Sequence, residues 1–142
     1  MADYKDSPAW KKAFELAVEI SNLTKKQARA EHMHENATIQ HVYNRDAESI
    51  VLDIAAAEGR AAMRSEYLRF LSIAQGMLFR LESKILLDVE RNYQEQADTE
   101  TALKLCIELK EILNFKIEQL ATEEQTARLN RQIRPINFRS ED

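Results

Sequence analysis

Few side chains in this sequence are of a type and spacing that could do chemistry, and the histidines come first. His32 and His34 alternate with acids in "EHMHE", and His41 follows seven residues after His34. A helix presents two metal ligands on one face when they are four apart, as in H-E-x-x-H. Spacings of two and seven do not do this, and no cysteine or carboxylate completes a zinc pattern around them. Solvated histidines and no bound metal are expected. There is no glycine-rich phosphate loop, no G-x-S-x-G and no cysteine–histidine pairing to make a nucleophile. Cys106 is the only cysteine, which rules out an internal disulfide and fits a reducing cytoplasm. It falls on an apolar stripe, so a buried, inert thiol is expected. Neither a cofactor nor a small-molecule substrate is implied.

Two charged features remain. Glu58 lies beside an apolar helical face, with Arg45 about three and a half turns earlier on the same helix. A carboxylate in that position needs a partner, and a guanidinium is the best-shaped one. Arg45, Arg60 and Arg64 are the candidates, and a polar pair that fixes helix register is expected. Near the C-terminus "ARLNRQIRPINFRS" carries Arg128, Arg131, Arg134 and Arg139 with no acid among them. Arginines suit phosphate, and Phe138 could stack on a base. The run is read as a contact for nucleic acid or for a protein partner. The whole chain has 24 acids against 20 bases, a net charge of −4, which is a poor footprint for coating nucleic acid.

The elements that must position these residues are helices. Two glycines and two prolines in 142 residues compare with about ten and seven at average usage, so tight turns are few. With 44% apolar and 31% charged residues the chain reads as one folded, soluble domain. No stretch approaches the ~18 apolar residues of a membrane span, and the N-terminus has no apolar signal region.

Ser7 and Pro8 predict the start of a first helix, with Trp10, Ala13, Phe14, Ala17 and Ile20 inward and Lys25 and Lys26 near its end. A second helix is predicted over residues 36–58, with Ile39, Tyr43, Ala47, Ile50, Ile54 and Ala57 inward. Gly59 is expected to stop it in a left-handed conformation. The third runs over residues 62–93. A fourth, capped by Asp98 or Thr99, buries Ala102, Leu105, Cys106, Leu109, Ile112, Leu113 and Leu120. Residues 1–121 are thus an all-α, up-down-up-down four-helix bundle. Residues 122–142 are a polar tail with a basic stretch, in which Pro135 ends any helix. Gly76, inside the third helix, is expected to let a neighbour approach closely.

The third helix is greasier than one face requires. Tyr67, Phe70, Leu71, Ala74, Met77, Leu78, Leu81 and Ile85 make one stripe. Leu68, Phe79 and Leu86 line up roughly a quarter-turn away. Three apolar residues in line suggest a contact surface, and a homo-oligomer interface is expected there. Ile107 and Phe115 also leave the main stripe of the fourth helix.

The same segments carry a resemblance. "YKDSPAWKKAFELAVEISNLT" is similar to the N-terminus of a small four-helix-bundle family often encoded within intervening sequences of bacterial 23S ribosomal RNA genes, through Trp10, Ala13, Leu23 and Thr24. "RDAESI" resembles that family's R-A-A-x-S-I through Arg45, Ala47, Ser49 and Ile50, and "AEGR" its A-E-G stop at Ala57, Glu58 and Gly59. "EYLRFLSIAQGMLFRLE" resembles E-F-x-R-F-L-x-I-A-x-G-S-L-x-E-L-E, with Glu66, Phe70, Ile73, Ala74, Gly76, Leu78, Leu81 and Glu82 in place. Met77 stands for the serine and Arg80 for a glutamate, and two extra residues separate Ile50 from Glu58. The likeness covers roughly residues 3–121.

The resemblance implies a ring-like pentamer without enzymatic activity. It also points by fold to the accessory variability determinant of diversity-generating retroelements, which binds a reverse transcriptase and its template RNA. The expectation is therefore a cytoplasmic, non-catalytic oligomeric adaptor. It would bind itself and a nucleic-acid enzyme such as a reverse transcriptase, with or without RNA. The alternative is a purely structural homo-oligomer.

Overall fold

The computed structural model describes residues 3–28 and 33–139, with the side chains of residues 33–38 and 134–139 outside the description. Four helices follow a short 3₁₀ turn at Tyr4–Asp6: α1 (Pro8–Ala28), α2 (Met33–Glu58), α3 (Arg64–Glu90) and α4 (Gln96–Arg139). No strand occurs among the described residues. α1 packs on α2, α2 on α3, α3 on α4 and α4 back on α1, which closes an antiparallel square. Lys26 near the end of α1 reaches Asp98 near the start of α4 at 3.0 Å, and Lys12 near the start of α1 reaches Glu108 at 2.7 Å.

The helices form where apolar residues recur every three to four positions, and that stripe is the core. Leu16, Ile20, Ile50, Ile54, Leu78 and Leu109 are wholly buried, each side chain contributing about 1.5–3 kcal/mol. Ser7 caps α1 as expected: its Oγ accepts the Trp10 amide at 3.3 Å, and its carbonyl accepts the Lys11 amide. Phe14, predicted inward, is exposed, and Leu16 takes its place in the core. The Phe14 ring stacks on Trp10 instead, with centroids 5.0 Å apart.

Helix endings depart from expectation in three places. Gly59 does not adopt positive φ. α2 instead unwinds through successive turn bonds, Gly59 N to Ala55 O and Arg60 N to Ala57 O. The left-handed cap belongs to α3, where Asn92 has φ 63°. The Asn92 amide bonds Val89 O and the Tyr93 amide bonds Asp88 O, which is a Schellman ending. α4 starts at Gln96, ahead of Asp98 and Thr99, and Thr99 Oγ donates back to the Glu95 and Gln96 carbonyls. Its other end continues past Pro135 to Arg139. A proline lacks one amide donor but leaves the rest of the ladder available.

Gly76 also differs from expectation. A Cβ built there meets nothing within 4 Å, so no neighbour among the described residues approaches it closely.

Candidate functional site

Three polar clusters and one apolar rim are the places where this bundle could act. The first lies at the end where α2 stops and α1 and α3 begin. Glu58 Oε1 accepts the Tyr67 hydroxyl at 2.9 Å and the Ser7 hydroxyl at 3.2 Å. One carboxylate thereby ties α1, α2 and α3 together. It borders a cleft of about 320 Å³ lined also by Ile112, Phe115 and Lys116, with the Lys116 ammonium 5.5 Å above the Tyr67 ring. Burial, reinforced by Glu58, raises the Tyr67 pKa above its ordinary value, so the phenol is held as a donor and is no base at neutral pH.

The arginine partner expected for Glu58 is not what the fold supplies. Arg45 pairs with its neighbour Asp46 at 3.4 Å. Arg60 donates to the Ala56 carbonyl, and Arg64 reaches Glu123 and Glu124. Thirteen residues of α2 separate Arg45 from Glu58, about 20 Å of helix, too far for contact. Two hydroxyls do the work that a guanidinium was expected to do.

The second cluster lies on the α2–α3 seam. Asp46 and Asp88 are both wholly buried. Tyr43 donates to Asp88 Oδ2 at 2.7 Å, and Lys84 reaches Oδ1 at 3.3 Å. Burial, with Asp88 adding to it, pushes the Tyr43 pKa up. Asp46 Oδ2 has no hydrogen-bond donor among the described residues and relies on the Arg80 guanidinium 3.6 Å away. Neither acid was singled out from sequence. The signal was present, since Asp46 is three residues after Tyr43 and Asp88 three after Ile85, each in register with an apolar stripe.

A third set of polar bonds lies between α1, α2 and the α3–α4 turn. Thr24 accepts from Asn44 at 2.9 Å and donates to the Ile20 carbonyl, while Gln27 and Gln94 bond one another. Along the α1–α4 seam the hydrogen bond between Lys12 and Glu108 raises the lysine pKa and lowers that of the acid.

The second stripe of α3 divides. Leu68 is half-buried against the core of its own bundle. Phe79 and Leu86 are 40% and 52% exposed. Beside them Gln75 bonds Asn114, and Glu82 pairs with Lys110 at 2.9 Å, so these two residues border the α3–α4 seam, on which Ile107 is also exposed.

Of the four tail arginines, Arg128 and Arg131 lie on α4 with 71% and 66% exposed side chains, both reaching Glu124 at 3.7 and 3.6 Å. The side chains of Arg134 and Arg139 lie outside the described residues. So does His32, and so does the side chain of His34; His41 is exposed on α2. Among the described residues no three His, Cys, Asp or Glu converge to hold a metal. No helix among them is long and apolar enough to cross a membrane.

The family described as 23S rRNA-intervening sequence protein matches residues 5–115 of this bundle. The chain belongs to that family. No curated protein and no solved structure matches it. The matched span takes in α1, α2 and α3 and the first half of α4, ending at Phe115. The second half of α4, with Arg128 and Arg131, lies beyond the match. The family description carries no catalytic activity, and the bundle's buried acids face hydroxyls and cations in structural pairs.

Proposed function

We propose that this protein is a non-catalytic, self-associating adaptor that holds a nucleic-acid enzyme such as a reverse transcriptase, together with its RNA, with copies arranged as a ring of five. The observation that carries the self-association is the exposure of Phe79 and Leu86 in line on α3, beside exposed Ile107. Each would contribute about 1.5–3 kcal/mol on being covered, and in a ring each copy covers this face with a different surface of its own. Arg128 and Arg131, exposed beyond the family match, are the face that meets the partner or its RNA. Several copies would multiply a weak contact of this kind.

A second reading, a purely structural homo-oligomer, is favoured by the net charge of −4 and by the engagement of both arginines with Glu124.

Two measurements decide. Phe79→Glu with Leu86→Glu should reduce the particle mass by light scattering while helicity is kept; an unchanged mass would end the self-association reading. RNA binding that weakens with salt and is lost on deleting residues 126–142 supports the adaptor. Absence of RNA and of any co-purifying nucleic-acid enzyme from the native host leaves the structural reading.

A further inference from the structure

The two flanks of α3 carry opposite charge. On the flank toward α4, exposed Phe79 and Leu86 are joined by Ile107. At helical spacing the exposed charges on this face are acids: Glu90 of α3, and Glu100, Glu111 and Glu118 of α4. Lys110 on this seam is engaged with Glu82, and Lys104 lies on the α1 side, beside Glu108. On the flank toward α2 the exposed charges are arginines: Arg80 and Arg91 of α3 and Arg45 of α2, with exposed Leu87 among them. Arg45 and Arg80 share a single carboxylate, Asp46, so the pair keeps a positive surplus. Lys84 and Arg69 are engaged with Asp88 and Glu66. Asp53 is half-buried about two turns beyond Arg45, and Glu48 lies on the α1 side of α2.

The opposite charges stand at the same heights along the bundle. The bonds Glu82–Lys110 and Gln75–Asn114 put Glu111 level with Phe79 and Arg80, and Asp46–Arg80 puts Arg45 there too. Glu100 falls level with Glu90 and Arg91, about 16 Å further along α3. Leu86 and Leu87 lie between the two levels. Rotation about an axis parallel to the helices preserves height, so in such a ring the acids of one copy meet the arginines of the next. The two faces that a copy uses in a ring of five lie about 108° apart, near the right angle between adjacent sides of a square bundle. The remaining adjacent side, between α4 and α1, carries both signs together, with Lys12 meeting Glu15 and Glu108. Two acidic faces set against each other would repel, which disfavours a two-fold pair through the α3–α4 side.

We propose that the acidic α3–α4 face of one copy docks on the basic α2–α3 face of the next. Glu111 meets Arg45 and Arg80, and Glu100 with Glu90 meets Arg91. Leu87 closes over Leu86 and Ile107 between these charged levels. The contact rests on the self-association argued above and names the surface that covers Phe79 and Leu86.

The test uses two variants of the full chain, by sedimentation equilibrium with helicity checked by circular dichroism. Phe79→Glu with Leu86→Glu disables the acidic face, and Leu87→Glu with Arg91→Glu disables the basic one. Each variant alone should sediment as a single, folded chain. Mixed in equal amounts they retain one intact face each, and should sediment at twice the mass of one chain. Arg91→Glu alone should lower the wild-type mass, and adding Glu100→Arg should restore it. A wild-type mass kept by Leu87→Glu with Arg91→Glu, a mixture that stays at the mass of one chain, or no recovery with Glu100→Arg overturns the proposal. Failure of the underlying self-association shows differently: the wild-type chain is then itself a single copy, or Phe79→Glu with Leu86→Glu leaves its mass intact, and the proposal falls with it.

Discussion

Asp46 on α2, wholly buried, and Arg80 on α3, largely exposed, meet across the helix seam at 3.6 Å. Both depart from the family motifs set out above, Asp46 standing at the first alanine of R-A-A-x-S-I and Arg80 at a glutamate. The two departures face each other, and each gives the other a reason. A carboxylate buried without a cation is costly, and a cation at the rim of that seam relieves it.

Restoring the motif at one side only should therefore hurt. Arg80→Glu is expected to lower stability by about 1–2 kcal/mol, because it sets a like charge against a buried acid. Adding Asp46→Ala should recover most of that loss. Urea unfolding of the two single variants and the double gives the coupling directly; additive effects would mean that the pair does not interact.

Glu58 should prove to be held by hydroxyls. Tyr67→Phe is expected to cost about 1 kcal/mol. Ser7→Ala should cost up to about 2 kcal/mol, since it removes both a Glu58 donor and the α1 cap. Arg45→Ala removes a cation from the buried Asp46 and should show no coupling to Glu58. Urea unfolding of each variant alone and combined with Glu58→Gln checks this; coupling of Glu58 to Arg45 and none to Tyr67 would overturn it.

Gly76 occupies an exposed helix interior with open space where a Cβ would go. Gly76→Ala should stabilise the protein by about 1 kcal/mol. A loss of stability or a change of particle mass would instead show that another chain approaches there.

Cys106 should be silent toward thiol reagents in the folded state. Burial, aided by Glu82, pushes its pKa up from 9.0 to about 12. The unfolded chain releases its proton at lower pH than the folded one. The contribution of this group is therefore intact below pH 9.0 and is lost as pH rises toward about 12. Labelling by a disulfide reagent at neutral pH should proceed no faster than unfolding, and urea should accelerate it.

Much of this architecture was legible before any coordinates. The four helices, Ser7 as the first cap, Cys106 as a core thiol and the stripes through Ile50, Leu78 and Leu109 follow from one rule. Apolar side chains at a period of 3.6 must leave water together, and so they name their own helix and its inner face. Buried polar partners were harder to see. Asp46 and Asp88 sat on those stripes in plain register, but an acid on an apolar stripe does not say which helix brings its cation or hydroxyl.

The sequence by itself determined the all-helical class, the inner faces and the family, because each depends on spacing within a single segment. Only the tertiary structure decided that Leu68 is covered by its own bundle while Phe79 and Leu86 are not, and that Ser7 and Tyr67, not Arg45, hold Glu58. It also decided that Asn92 and not Gly59 takes the left-handed cap. The physical reason is common to most of these. A residue's angle around its helix is local, whereas what it meets depends on how neighbouring helices are placed, and those neighbours lie up to 96 positions away in the chain.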